Sequence, residues 1–285
     1  WYVGASCVLY AGPPRQAAAV LKAISTFNPT VFVSVPTIYS AILSLPNFYK
    51  RFDIGSLRMC ISAGEPLPLQ TWNTWRDATE IEILDTIGCT ETYHTFMANR
   101  PGEVRPGSSG KPIRGYDVRL VDDEGKDVQA GMVGNLMVRG ESTALFYLHQ
   151  SEKTRHSFRG EWLFTGDQYL QDKDGYYWHK GRVDDMLKVG GLWVSPMEIE
   201  EVLSAHDSVA DCAVVGHYDN AGLLKPKAFV CLRDEVEPSD ELFEQLVKLC
   251  AKTLDAHKRP RWLEFNKDLP RTSTGKLQRF KLREQ

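Results

Sequence analysis

Apolar residues in segments 17–27 and 68–78 recur at the spacing of one helix face, while 30–35, 58–62 and 82–86 are short runs rich in apolar and β-branched residues. Each short run ends on a turn signal. The first is closed by Pro36, the second by Ala63-Gly64-Glu65-Pro66 and the third by Ile87-Gly88-Cys89-Thr90-Glu91. Strands alternating with helices predict a largely parallel sheet over residues 1–110. Ligands on such sheets bind just beyond the carboxyl ends of the strands. Ala63-Gly64-Glu65 and Gly88-Cys89-Thr90-Glu91 occupy those ends.

The pattern changes after residue 110. Segments 118–121, 134–139 and 176–178 read as short strands, with turns at Asp122-Asp123-Glu124-Gly125 and Asp172-Lys173-Asp174-Gly175. An antiparallel, barrel-like subdomain is expected over 111–183. Beyond Asp184, Ser195-Pro196-Met197-Glu198 opens a helix, with Ser195 as N-cap, Pro196 at the first helical position and Glu198 completing a capping box. Strands at 209–215 and 228–232, a helix at 240–254 and a strand at 262–265 follow, enough for an α+β module with its own core. The predicted fold class is therefore α/β and α+β. A large domain part spans 1–183 and a small domain spans 184–285, with Asp184 between them.

The composition fits this picture. The chain has 285 residues, 42% hydrophobic and 25% charged, with a net charge of −3. That balance gives no electrostatic reason to bind nucleic acid or an anionic membrane. No apolar run approaches the ~18 residues of a membrane span. The six cysteines (Cys7, Cys60, Cys89, Cys212, Cys231 and Cys250) form no C-x-x-C pair and are expected to be buried, reduced thiols of a cytoplasmic protein. The chain opens on Trp1-Tyr2-Val3-Gly4 without an initiator methionine and is expected to be part of something longer.

Several residues could carry chemistry. The Thr90 hydroxyl could bond a phosphate oxygen while Glu91 beside it holds Mg²⁺; the pair also reads as an ordinary helix start. Asp167 in Thr165-Gly166-Asp167 could accept both hydroxyls of a ribose, with Arg182 as a further donor; a turn aspartate and a surface arginine are the plainer readings. Lys276 follows Arg271-Thr272-Ser273-Thr274-Gly275, a loop a ligand could approach closely, and could meet developing negative charge. This is not a Walker A loop, and a lone exposed lysine is commonplace. His94 could shape a pocket or carry a proton, or be a hydrogen-bonded structural histidine. Gly190-Gly191 could line a thin channel or form a turn. The basic run Lys258-Arg259-Pro260-Arg261 reads as solvated surface or as a phosphate contact.

The order of these segments is more specific than any one of them. Ser62-Ala63-Gly64-Glu65, Gly88-Cys89-Thr90-Glu91, Thr165-Gly166-Asp167, Gly181-Arg182-Val183-Asp184-Asp185 and Pro270-Arg271-Thr272-Ser273-Thr274-Gly275-Lys276 resemble successive core motifs of the adenylate-forming superfamily. That group includes acyl- and aryl-CoA synthetases, peptide-synthetase adenylation domains and luciferase. Glu91-Thr92-Tyr93-His94, Asn99-Arg100-Pro101-Gly102 and Lys188-Val189-Gly190-Gly191-Leu192-Trp193 are similar to the benzoate-CoA ligase branch. The resemblance implies ATP and Mg²⁺ as cofactors and coenzyme A as co-substrate. It further implies a two-step reaction, in which an aryl carboxylic acid becomes an aryl-adenylate and then a thioester. It would place Ala63, Gly64, Glu65, Asp85, Gly88, Thr90, Asp167 and Arg182 on the nucleotide, and Glu91 on the metal. Ala63, Gly88, His94 and Thr95 would line the acid pocket. Lys276, with Thr90 and Glu91, would serve the adenylating step. Asp184 would be the hinge of a rotating domain. Lys188, Gly190, Gly191 and Trp193 would meet coenzyme A.

Three departures from the family pattern stand out. Its Gly/Ser/Thr-rich phosphate loop does not occur in this sequence and is expected upstream of Trp1, so this chain alone is not expected to catalyse. Asn135 stands where a glutamate is usual and is expected to affect stability. Thr95 stands where benzoate ligases tend to be aliphatic, and is expected to admit or bond a ring substituent such as a hydroxyl or amine. An acyl carrier protein in place of coenzyme A, a homodimer, and a non-catalytic nucleotide-binding fragment are the alternatives left open.

Overall fold

The structure is a computed structural model, and it describes residues 4–12, 16–272 and 277–283. The N-terminal half runs α1 (Ala17–Phe27), β1 (Val31–Ser34), α2 (Pro36–Leu43), α3 (Phe48–Arg51), β2 (Met59–Ser62), α4 (Leu69–Thr79), β3 (Ile83–Gly88), β4 (Thr95–Ala98) and β5 (Lys111–Pro112). These strands form one sheet in the order β1-β2-β3-β4-β5. β1 pairs with β2 and β2 with β3 in parallel, as the alternating pattern predicts. The sequence reading did not include β4 and β5, which add on antiparallel. β4 has only four residues and follows a loop of polar residues, so it carries little periodicity.

Apolar side chains of α1, α2 and α4 close over this sheet. Tyr39, Trp75, Leu21, Ile42 and Ile83 lie in one fully buried cluster. Tyr39 meets Trp75 edge-on at 5.0 Å, and Phe48 stacks on Trp75 at 5.8 Å. The Tyr39 hydroxyl donates to Ile61 O (2.9 Å) at the end of β2, so the aromatic core also holds a strand terminus.

Next come β6 (Tyr116–Val121), β7 (Val133–Gly140), α5 (Ser151–Ser157), β8 (Phe158–Arg159), β9 (Trp162–Gln171) and β10 (Tyr177–Arg182). Their sheet has the order β10-β9-β7-β6, with β8 antiparallel to β9. The sequence pattern missed β9, because Gly166 interrupts its apolar alternation. Asp167 thus lies inside a ten-residue strand and not in a turn, with Gly166 at φ +79° supplying the local irregularity. Asn135 is buried; its amide donates to Asp123 Oδ1 and its carbonyl accepts from Gln168, each at 3.2 Å, so the residue that departs from the family pattern does structural work.

The C-terminal part contains β11 (Leu187–Val189), β12 (Leu192–Val194), α6 (Pro196–Ser204), β13 (Val209–Tyr218), β14 (Leu224–Leu232), α7 (Asp240–Thr253), β15 (Trp262–Phe265) and α8 (Arg279–Arg283). β13 and β14 are antiparallel, and β14 and β15 parallel. Alternate residues feed two cores. Cys212, Val214, Ala228 and Val230 join α6 and α7, while Ala213, Val215, Phe229 and Cys231 join Leu269 and Leu282. Ser239 caps α7 by accepting from Leu242 N (3.2 Å). The capping box expected at α6 does not form. Pro196 takes the first position, but Ser195 Oγ donates to Lys180 O (2.5 Å) and Glu198 pairs with Lys258 (2.7 Å). Tertiary partners outbid the local cap.

By compactness the chain divides into two units. One comprises Trp1–Arg119, Met137–Thr165 and Gln171–Trp178; the other comprises Leu120–Leu136, Gly166–Leu170 and His179–Gln285. No helix among the described residues is long and apolar enough to cross a membrane. All six cysteines are free: Cys60, Cys212, Cys231 and Cys250 are buried as expected, whereas Cys89 is half-buried and Cys7 is exposed. Burial pushes the Cys231 and Cys250 thiols up to about 11, which keeps them protonated and unreactive.

In the second unit, Arg279 donates to both carboxylate oxygens of Glu200 and to Val214 O, and Glu200 also accepts from Val214 N. The two side chains are only 17% and 14% exposed. Removing one charge strands the other in a water-poor site. Arg279→Met should therefore cost about 3–5 kcal/mol in denaturant unfolding, and adding Glu200→Met should recover most of that loss. Additive losses in the double variant would show that the pair is not coupled.

Candidate active site

In the first unit, the loops after β2 and β3 hold the predicted residues. Gly64 has φ +91°, a value that favours glycine, and Ala63 N donates to Ser34 O (3.2 Å). Glu65 is half-buried beside it. Gly88 ends β3, where a Cβ would lie 2.0 Å from His94 O. That close approach lets Cys89 N donate to His94 O (3.0 Å) and closes the loop 89–94.

Inside this loop Thr90–Thr92 forms a single 3₁₀ turn, not the start of an α-helix. Thr92 is fully buried. Its hydroxyl bonds Cys89 O and His94 O (both 3.1 Å), and its carbonyl accepts from Ser142 Oγ (2.8 Å) and the Tyr116 hydroxyl (3.0 Å). Tyr93 follows at φ +76°, ψ −51°, a strained γ-turn geometry for a non-glycine residue. The turn leaves Thr90 and His94 exposed and Glu91 and Thr95 half-buried. Thr95 Oγ1 and His94 Nδ1 are 2.8 Å apart, so the two predicted pocket residues are linked.

Glu91 accepts from the Tyr147 hydroxyl at Oε1 (2.6 Å). Burial alone would raise its carboxyl; the Tyr147 bond leads the groups that overcome this and hold it below the ordinary range. Thr90 and Glu91 therefore offer hard oxygen donors. One carboxylate suits Mg²⁺ shared with nucleotide phosphates, since that ion keeps most of its shell as water and phosphate oxygens. Among the described residues no cluster of three or more acids, histidines or cysteines forms a protein-only metal cage.

Asp85 lies deeper on β3. It is 5% exposed, faces Ser62 across the strand pair, and its Oδ1 has no hydrogen-bond partner. Burial pushes the Asp85 carboxyl up to about 8, against the opposing backbone N–H groups of Leu67 and Thr86. An orphaned buried oxygen of this kind is one feature a polar ligand group would satisfy.

The second unit holds the remaining predicted residues. Arg182 Nη1 donates to Asp167 Oδ1 (3.1 Å), and His179 Nε2 is 3.5 Å from the same oxygen. The guanidinium lies so close over Gly166 that a Cβ there would stand 2.7 Å from Arg182 Nη2. Sequence reasoning did not single out His179, whose Nδ1 lies 3.1 Å from Met197 Sδ. Its position three residues before Arg182 gave no signal of contact with a strand interior. Asp184 is exposed; its carbonyl accepts from Arg283 Nη2 (3.1 Å), which also pairs with Asp185 (2.6 Å). Gly190 and Gly191, at φ +57° and +86°, form the two-residue turn of the β11–β12 hairpin, and Lys188 faces Trp193 across it. Lys276, with Ser273, Thr274 and Gly275, lies outside the described residues. In the basic run, Lys258 pairs with Glu198 and Asp255 and Arg259 donates to Leu254 O, while Arg259 and Arg261 are exposed.

The first unit presents a hydroxyl-and-carboxylate loop beyond a parallel sheet, and the second an aspartate–arginine pair on the strands β9 and β10. Residues 1–148 match the AMP-binding enzyme family and residues 198–276 match the AMP-binding enzyme C-terminal domain. The chain belongs to the AMP-binding enzymes.

Within that family it is 45% identical to a benzoate–CoA ligase of Thauera aromatica, over 99% of this chain and 53% of the relative. It is 56% identical to the anthranilate CoA ligase AuaEII, whose crystal structure is in complex with anthranoyl-AMP; the TM-score is 0.94, covering 100% of this chain and 55% of that one. A benzoate CoA ligase of Burkholderia xenovorans LB400 superposes with a TM-score of 0.90 at 45% identity, covering 98% of this chain and 56% of that one. The chain spans about half the length of the curated relatives it matches.

The raised Asp85 carboxyl has a consequence for stability. Between the free value of 3.8 and about 8, the native chain keeps a proton that the unfolded chain has lost. Stability should fall as pH rises through this window, by at most about 1.4 kcal/mol per pH unit. Asp85→Asn should flatten that slope in urea titrations at several pH values. An unchanged slope would mean that Asp85 ionises normally.

Proposed function

We propose that this chain acts within an ATP-dependent aryl-CoA ligase that activates a substituted benzoate. The observation that carries the reading is the 56% identity, over the whole chain and at a TM-score of 0.94, to an anthranilate CoA ligase. In the first step the acid's carboxylate attacks the α-phosphorus of ATP and pyrophosphate leaves. In the second, the thiol of coenzyme A displaces AMP from the aryl-adenylate. Mg²⁺, when bound, supplies charge neutralisation at the phosphates.

The residue roles follow from the motifs. Thr90 bonds a phosphate oxygen and Glu91 holds the metal. Asp85, Ala63, Gly64, Glu65 and Gly88 surround the nucleotide base and the acid. Asp167, already oriented by Arg182 and His179, accepts the ribose hydroxyls. Lys276 is assigned the developing charge of the first step. Asp184 is the hinge from which residues 185–285 turn, and Lys188, Gly190, Gly191 and Trp193 receive the pantetheine arm of coenzyme A. One lysine and one thiol cannot share a position, so a rotation separates the steps. Cytoplasmic residence accords with six free thiols.

Thr95 and His94 make the acid pocket polar on one side. An amine or hydroxyl on the ring gains a partner there, and unsubstituted benzoate does not. With the product of the full coding sequence, ATP, coenzyme A and a panel of aryl acids, 2-aminobenzoate should exceed benzoate in kcat/KM by about tenfold, the worth of one hydrogen bond. Thr95→Val should erase that preference. A higher kcat/KM for benzoate, or thioester formed only on an acyl carrier protein, would refute the assignment.

The two-step division makes a second expectation. Lys276→Ala should lose aryl-adenylate formation by about 100-fold or more and still convert supplied aryl-adenylate to thioester. Gly191→Trp should show the opposite pattern. Equal losses of both half-reactions in both variants would count against the rotating domain.

A further inference from the structure

Glu91 is not held by its own turn alone. Four bonds hold the 90–92 turn from outside, three from the segment Ser142 to Tyr147 and one from Tyr116. Ala144 N donates to Glu91 O (2.7 Å), and Ser142 Oγ and the Tyr116 hydroxyl both donate to Thr92 O. The fourth bond, from the Tyr147 hydroxyl to Glu91 Oε1, is the only one of these that reaches the carboxylate. At 2.6 Å it has the length of a charge-assisted O–H···O⁻ bond.

Tyr147 is itself fixed before it meets Glu91. Its N–H donates to Thr154 Oγ1 (3.0 Å), and Thr154 Oγ1 donates to Gln150 O (2.8 Å). The ring packs edge-on against Phe158 at 5.4 Å, and Lys153 Nζ sits 4.0 Å from its centroid. Two χ angles held from three sides make a stiff arm, while a free glutamate side chain samples many rotamers.

We infer that Tyr147 is a positioning residue: by holding Glu91 Oε1 from a pinned ring, it fixes the rotation of the carboxylate that receives the divalent cation shared with ATP. The inference rests on the metal role given to Glu91 above. Partners behind a metal-binding carboxylate set its affinity by restricting its orientation, and their loss typically weakens binding about 10–100-fold. Only the adenylating step uses the cation and the triphosphate. Loss of Tyr147 therefore acts on one half-reaction.

The test is Tyr147→Phe in the product of the full coding sequence, which keeps the ring against Phe158 and Lys153 and removes one oxygen. Mn²⁺ titration followed by electron paramagnetic resonance, with α,β-methylene-ATP present, should show binding weakened about tenfold. The Mg²⁺ concentration that half-saturates aryl-adenylate formation should rise by the same factor. Conversion of supplied aryl-adenylate to thioester should stay within about twofold of the parent, and the melting temperature should stay close to it. Equal Mn²⁺ binding by parent and variant, including none in either, would overturn the inference. So would equal losses in both half-reactions together with a lowered melting temperature, the mark of a structural role. If the parent forms no aryl-adenylate from any acid, the aryl-CoA reading fails, and the Mn²⁺ titration still decides the role of Tyr147.

Discussion

The loop that follows β3 has to reverse within six residues, and it does so around one buried side chain. Thr92 satisfies two backbone carbonyls with its hydroxyl, and its own carbonyl receives two side-chain donors. Buried polar groups that lack partners are costly, so this set leaves the loop few other conformations. Thr90 and His94 owe their exposure to it, and Glu91 and Thr95 their half-buried positions. Gly88 makes the reversal sterically possible, because the chain returns within 2.0 Å of where its Cβ would be. The strained Tyr93 backbone sits at the apex, with its ring 87% exposed. The surrounding bonds over-determine that strain, which is the setting in which strained residues persist.

The sheet beneath gives this loop a stable base. β1, β2 and β3 are parallel, so their carboxyl ends emerge at one edge, and helices α1, α2 and α4 bury one aromatic cluster against them. Tyr39 joins both functions, packing on Trp75 and donating to carbonyls of β1 and β2 at Phe32 and Ile61. Asp85 stands at the same edge, shielded from water. A core that rigidifies strand ends is what a site built on those ends needs, since binding groups must be held before the ligand arrives.

The C-terminal unit answers a different demand. Its sheet is covered on both faces, and short paired charges tie the ends of its elements together. Arg279 joins α8 to Glu200 on α6 and to Asp185, Arg283 joins α8 to Asp184 and Asp185, and Arg271 joins Asp211 on β13. These links run between the segment after Asp184 and the residues flanking 273–276. A unit proposed to turn as a body needs its own internal stiffness, and buried charge pairs provide specificity of arrangement where apolar contacts alone would allow sliding.

Local pattern was enough for the sequence to determine the parallel strands β1 to β3, the helices α1 and α4, the strands β13 and β14, and the order of the motifs that mark an AMP-binding enzyme, but not α2 and α3. Each depends on neighbours a few residues apart, through side-chain period, turn chemistry and backbone freedom. The hairpin at Gly190-Gly191 was legible as a turn for the same reason. What only the tertiary structure decided depends on distant partners. Tyr147 meets Glu91 across 56 residues of chain, and Lys258 meets Glu198 across 60. Ser195 leaves its expected cap for the carbonyl of Lys180. Asp167 proves to be inside a strand, because β9 gains ladder partners that outweigh the break at Gly166. A side chain's choice among polar partners is settled by which of them burial brings near, and no periodicity along the chain records that choice.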